Sequence, residues 1–123
     1  MTGLDRVLAA LAALAGGLGV AASAAAAHTS GGETLKTAAQ FLLFHAPAVL
    51  ALTGLTATGF VRSGLARLAA AALLIGLALF SGDLALRALT STPLFPMAAP
   101  SGGVVLMAGW LLAAIAVLVP ARR

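Results

Sequence analysis

The sequence predicts an all-α, polytopic membrane protein in which four transmembrane helices form a compact bundle, a single domain over residues 1–123. Three observations predict it. Hydrophobic residues make up 62% of the chain and charged residues only 8%, whereas a soluble domain carries about a quarter charged residues. The mean hydropathy is +1.12. The few charges also separate four long apolar stretches, and a helix of about 20 apolar residues crosses a bilayer.

The four spans follow from where the charges fall. We place them at residues 7–27, 38–60, 68–89 and 103–119. The third span includes Asp83 and Arg87 because apolar residues continue on both sides of them. The segment 90–101 holds three prolines, which is typical of a loop, so the fourth helix is predicted to start near Gly102 or Gly103. Pro47 is expected to bend the second helix, with a gate or hinge as the alternative.

The basic residues predict the orientation. Five arginines fall on the side of both termini, namely Arg6, Arg62, Arg67, Arg122 and Arg123, and Lys36 and Arg87 fall on the other side. Because Lys and Arg are enriched in cytoplasmic loops, both termini are predicted to be cytoplasmic, in the cell (inner) membrane. Asp5 stands beside Arg6 and is expected to offset its charge.

Residues 20–27 contain Ala-x-Ala triplets that resemble a signal-peptidase site. A secretory signal has a basic start and an apolar core of about 7–15 residues. Here Asp5 offsets Arg6, and the apolar run that starts at Val7 continues past Ala22. We therefore expect the first helix to be retained, with cleavage as the alternative.

Small residues are expected to hold the helices together, because lipid is as apolar as leucine and burial alone does not drive association. In the first helix Ala9, Ala13, Gly17 and Ala21 recur every four residues. The predicted packing glycines are Gly17, Gly82, Gly102, Gly103 and Gly109. Spacing does not decide between packing within one chain and packing between chains.

Helical rise places most polar side chains in the outer half of the bundle. This candidate functional cluster consists of His28, Gln40, His45, Asp83, Arg87 and Trp110. Asp83 and Arg87 stand four residues apart on one face, where they can pair. His45 is expected to face the bundle and hydrogen-bond a neighbour. Trp110 is expected in the core, with its indole N–H bound to Gln40, His45 or a loop carbonyl.

Several chemistries are not expected. The chain has no cysteine, which excludes disulfides and thiolate sites. The pI of about 11.7 reflects a net charge of only +4 without the dense basic face of a nucleic-acid binder. His28 is expected about 12 Å above His45 along the bundle, which disfavours a shared haem or metal. Ser81 lacks a Gly-x-Ser-x-Gly frame. We therefore expect no enzyme, cofactor or metal.

Four blocks of sequence together resemble the "domain of unknown function 423" family of small four-helix membrane proteins. These blocks are Ala24–His28, Thr37–Ala46, Leu79–Leu84, and Pro100–Gly103 followed by Ala108–Trp110. The resemblance implies a four-span bundle and carries no established activity or cofactor. Asp83, Arg87 and Pro47 depart from the family pattern, so a function built on Asp83 and Arg87 would belong to this chain alone.

Two functional hypotheses remain. The first is a non-enzymatic scaffold in the lipid bilayer, either an accessory subunit of a larger membrane complex or a homo-oligomer, as low charge and short loops favour. The second is an oligomeric transport or permeation module that uses the outer polar cluster for a proton or small solute. The inner half of one chain offers no polar path, which weighs against the second.

Overall fold

The computed structural model describes residues 1–30 and 32–121 and consists of four long helices. They are α1 (Gly3–Ala26), α2 (Gly32–Thr58), α3 (Ser63–Thr90) and α4 (Ala98–Leu118). Each is long and apolar enough to cross a membrane. The predicted all-α, four-helix architecture is thereby confirmed. Two of the arginines that predict the orientation, Arg122 and Arg123, lie outside the described residues.

Each helix begins before its predicted span, and the early start of α4 overturns the prediction of a loop there. This helix begins at Ala98, whereas the proline-rich segment was expected to remain a loop up to residue 101. Pro100 lies in the first turn of α4. The first N–H groups of a helix have no intrahelical acceptor, so proline costs no hydrogen bond there. Pro47 lies inside α2, which continues through it to Thr58.

Each helix packs mainly on its neighbours in sequence. α2 lies between α1 and α3, α3 lies between α2 and α4, and α1 touches α3 only lightly. The core runs along these contacts and contains Leu8, Ala12, Ala46, Val49, Leu52, Leu73, Leu77 and Leu106. We call the end formed by residues 1–5, 58–67 and 118–121 the terminal end, and the end formed by residues 26–30, 32–36 and 83–99 the distal end.

The closest helix contact lies between α3 and α4 and depends on glycine. A Cβ built on Gly102 would lie 2.6 Å from the Phe80 backbone nitrogen, and one on Gly76 would lie 2.8 Å from the Leu106 nitrogen. A Cβ on Gly109 would lie 2.8 Å from Leu73 Cδ2. The two backbones therefore approach so closely that only glycine fits, as is common where membrane helices cross.

Three other predicted packing glycines do not make such contacts within the chain. A Cβ on Gly17, Gly82 or Gly103 would meet nothing within 4 Å. In α1 the close approach is made by Gly19, where a Cβ would lie 2.9 Å from Leu43 Cγ. Four-residue spacing identifies a row of small residues but not the direction in which it faces, and the row through Gly17 faces outward.

The adjacent glycines of α4 provide a matched test of this contact. Gly102→Ala should lower the free energy of unfolding in mixed micelles by about 1–3 kcal/mol, because the methyl group forces two backbones apart. Gly103→Ala should leave it unchanged or raise it by up to about 1 kcal/mol, the gain in helix propensity. Equal losses in the two variants would contradict the contact.

Candidate functional site

His45 links α2 to α4 through a hydrogen bond. Its side chain is only 6% exposed, and its Nε2 accepts from the Trp110 indole Nε1–H at 3.0 Å. An indole nitrogen can only donate, so Nε2 carries no proton. The proton is therefore on Nδ1, which donates to the Phe41 carbonyl at 2.7 Å. The imidazole is neutral, and both of its nitrogens are engaged.

Of the predictions for His45 and Trp110, two are confirmed and one is wrong. His45 faces the bundle, and it supplies the acceptor that Trp110 needs. Trp110 is not a core residue, because it is 47% exposed. The α2 and α4 backbones make few or no close contacts, and the long indole side chain of Trp110 reaches His45 instead.

An aromatic contact extends from this hydrogen bond to α3. The His45 ring stacks on the Phe41 ring with a centroid distance of 5.7 Å. The Phe41 ring in turn contacts the Phe80 ring of α3, with a centroid distance of 4.3 Å. The His45 and Trp110 rings are 5.6 Å apart. Three helices thus meet at one aromatic group, consisting of Phe41, His45, Phe80 and Trp110. Only the His45–Trp110 part of it was foreseen, because the pairing of Phe41 with Phe80 depends on the helix rotation.

Asp83 is the fully buried acid of the distal end. Its Oδ2 accepts from Arg87 Nε at 2.8 Å, which confirms the predicted pair, and its Oδ1 accepts from the Leu94 backbone N–H at 2.8 Å. At the start of α4 the Met97 side chain makes no capping hydrogen bond.

This arrangement explains how the loop between α3 and α4 is held. Ser91 and Met97, at its two ends, have φ angles of 61° and 67°, in the left-handed region that non-glycine residues rarely adopt. The Leu94 amide between them is fixed on Asp83. The carboxylate therefore joins α3 to the loop that leads to α4.

Ser81 joins α3 to α2. Its side chain is buried, and Oγ donates to the Ala38 carbonyl at 3.0 Å. That carbonyl also lies in the helical hydrogen-bond ladder, so the hydroxyl adds an interhelical bond where lipid would offer no partner. The Ser81 hydroxyl proton is therefore engaged in a hydrogen bond that holds α2 and α3 together.

The terminal end contains a second buried acid, Asp5, whose burial the sequence did not predict. Asp5 is 1% exposed. Because it is adjacent to Arg6, it was expected to offset the charge of that residue, but its hydrogen-bonding partner is Arg67. Its two oxygens bind Arg67 Nε at 2.8 Å and Nη2 at 3.1 Å. Asp5 also forms a capping box with Thr2 at the start of α1. The pair ties α1 to α3 over a separation of 62 residues, which no local spacing could reveal.

The six residues of the predicted polar cluster therefore do not form one hydrogen-bonded group. His45 bonds Trp110, and Asp83 bonds Arg87, but no hydrogen bond in residues 1–30 and 32–121 joins the two pairs. His28 and Gln40 are exposed, and Gln40 lines an open cavity of about 580 Å³ with Lys36 and Glu33. Nowhere in the described part of the chain do three His, Asp or Glu side chains gather as a metal site would require.

The comparisons with known proteins agree with the fold. The family model described as "Protein of unknown function (DUF423)" matches residues 15–103, which is more than half of the chain. The chain belongs to this family, as the resemblance of its sequence blocks indicated. No curated protein and no solved structure matches it. With its four apolar helices, the chain is a multi-pass membrane protein.

The bond between α2 and α4 can be tested by a double-mutant cycle of His45→Phe and Trp110→Phe. We expect a coupling of about 0.6–1.7 kcal/mol, the range measured for hydrogen bonds between membrane helices. Unfolding in mixed micelles is followed by far-UV circular dichroism, since the chain has only one tryptophan. His28→Phe, at an exposed histidine, should show no coupling with Trp110→Phe, and a zero coupling for His45 would refute the bond.

Proposed function

We propose that this protein is a non-enzymatic scaffold, an accessory subunit that associates with other membrane helices. The observation that supports the proposal is that its buried polar side chains are engaged in hydrogen bonds within the chain. Asp5, His45 and Asp83 each bind partners within the chain. Groups engaged in this way hold helices together and are poorly suited to relay a proton or bind a solute.

The outer surface of α1 supports association with another helix. α1 is the least buried of the four helices, and Ala13, Gly17 and Ala21 are exposed along it. Nothing within the chain packs closely on Gly17. Rows of small residues let helix backbones approach each other in lipid, so the row that the chain does not use internally is the proposed docking face for a partner helix.

Gly17→Leu tests this proposal. The leucine has room within the chain, so the melting temperature should not change, but it would block close approach of a partner helix. After mild-detergent extraction we expect the wild type to migrate with a partner in fixed stoichiometry on a native gel, and Gly17→Leu to migrate alone. Gly54→Leu, at an exposed glycine of α2 that is equally unhindered, should behave like the wild type.

The transport alternative predicts a different result from the same preparations. Purified protein in liposomes that enclose a pH-sensitive dye should give no proton flux above that of empty liposomes. Flux that falls in His45→Ala or Asp83→Asn, from a preparation that contains only this chain, would contradict the scaffold proposal and favour an oligomeric transport module.

We further propose that the protein lies in the cell (inner) membrane with its terminal end in the cytoplasm, as the excess of arginine at that end favours. The chain lacks cysteine, so single cysteines report the two sides. A membrane-impermeant maleimide should label Thr29→Cys in intact cells without an outer membrane and Thr58→Cys only after permeabilisation. The reverse pattern would overturn the orientation.

A further inference from the structure

An open cavity of about 640 Å³ lies at the terminal end, where the end of α2 and the start of α3 meet the segment after α4. Two arginines line it, Arg62 and Arg67, together with Ser63, Gly64 and Leu65 of the first turn of α3. From these residues we propose that the cavity binds a phosphate group, that of an anionic phospholipid headgroup. This inference is independent of the scaffold proposal.

The backbone at the start of α3 supplies unused donors. Arg62 is the N-cap residue, and its side chain makes no capping bond. The first bond of the helix runs from the Ala66 N–H to the Arg62 carbonyl at 3.0 Å. The N–H groups of Ser63, Gly64 and Leu65 therefore lack intrahelical acceptors, and free N–H groups at a helix start favour anions.

Arg62 is held too weakly to have a purely structural role. Its Nη2 makes a single long bond of 3.5 Å to the Pro120 carbonyl. Its Nε is the one buried side-chain nitrogen or oxygen without a partner in the described residues. A buried unpaired donor is costly, so movement of the guanidinium onto a bound phosphate would regain hydrogen bonds that the unliganded chain lacks.

Arg67 is paired with Asp5 but has one guanidinium nitrogen that does not bind it. Asp5 occupies Nε and Nη2, and Nη1 is left for a further acceptor. Asp5 is itself buried and does not line the cavity. The described residues that line the cavity therefore include two arginines and a helix start, and none of them is an acid.

Apolar side chains beside the cavity favour a lipid over a soluble phosphate compound. Phe60 stands between two cavity residues, Gly59 and Val61, and is 81% exposed, as is Leu118 near the end of α4. Such residues contact acyl chains when the phosphate lies at the membrane surface. Basic sites between helices at the cytoplasmic side are a known means of binding anionic headgroups.

The test is native mass spectrometry of the purified full-length chain with phosphatidylglycerol, with phosphatidylcholine of the same acyl chains for comparison. We expect one phosphatidylglycerol to bind saturably and phosphatidylcholine to bind much more weakly. Arg62→Gln should weaken phosphatidylglycerol binding about tenfold, the loss expected for a hydrogen bond to a charged group. Arg6→Gln removes the same charge at an exposed arginine outside the cavity and should bind normally.

Ser63→Pro provides a second variant. It removes one free N–H at the first helical position, where proline is well tolerated, and the extended conformation of Arg62 suits a residue before proline. It should weaken binding while the melting temperature without lipid is unchanged.

Three outcomes would overturn all or part of the proposal. Absence of phosphatidylglycerol binding, or equal weakening by Arg62→Gln and Arg6→Gln, would refute a specific site. If phosphatidylglycerol binding does not depend on Arg62 but inorganic phosphate stabilises the wild type and not Arg62→Gln, the site is for soluble phosphate and the lipid assignment is wrong.

Discussion

The lack of hydrogen-bonding partners in lipid is the constraint on which this structure depends. Any polar side chain within the spans has to be satisfied by the chain itself. Asp83 shows the consequence most clearly. Its two oxygens accept hydrogen bonds, one from Arg87 of its own helix and one from the Leu94 backbone N–H of the following loop. A charged group that is costly in lipid thus becomes the point at which α3 is joined to the loop that leads to α4.

The same constraint accounts for the contrast between the helix pairs. α3 and α4 approach so closely at Gly76 and Gly102 that their backbones are in contact. α2 and α4 make few or no close backbone contacts, and the side chain of Trp110 joins them by reaching His45. Close packing therefore holds neighbouring helices, and long polar or aromatic side chains hold those that the backbone does not bring together.

Much of this could be predicted from the sequence, because the relevant signals are local. Apolar stretches between charges predict the four helices, and the spacing of Asp83 and Arg87 predicts their bond. The contact of Asp5 with Arg67 could not be predicted, since it depends on how α1 and α3 are positioned. Gly17 and Gly19 differ by only two residues, yet only Gly19 packs closely in the chain, because helix rotation decides which glycine faces a neighbour. Pro100 was misjudged because a proline that ends one segment can equally begin a helix.

The role of Asp83 as a structural junction is tested most directly by backbone hydrogen exchange of the chain in lipid nanodiscs. Leu94 lies in an exposed loop, where an amide without a partner would exchange rapidly. The bond to Asp83 predicts that Leu94 is protected in the wild type and loses protection in Asp83→Ala, while the Val49 amide in the core of α2 is unchanged. Rapid exchange of Leu94 in the wild type, or protection that survives in Asp83→Ala, would contradict the account.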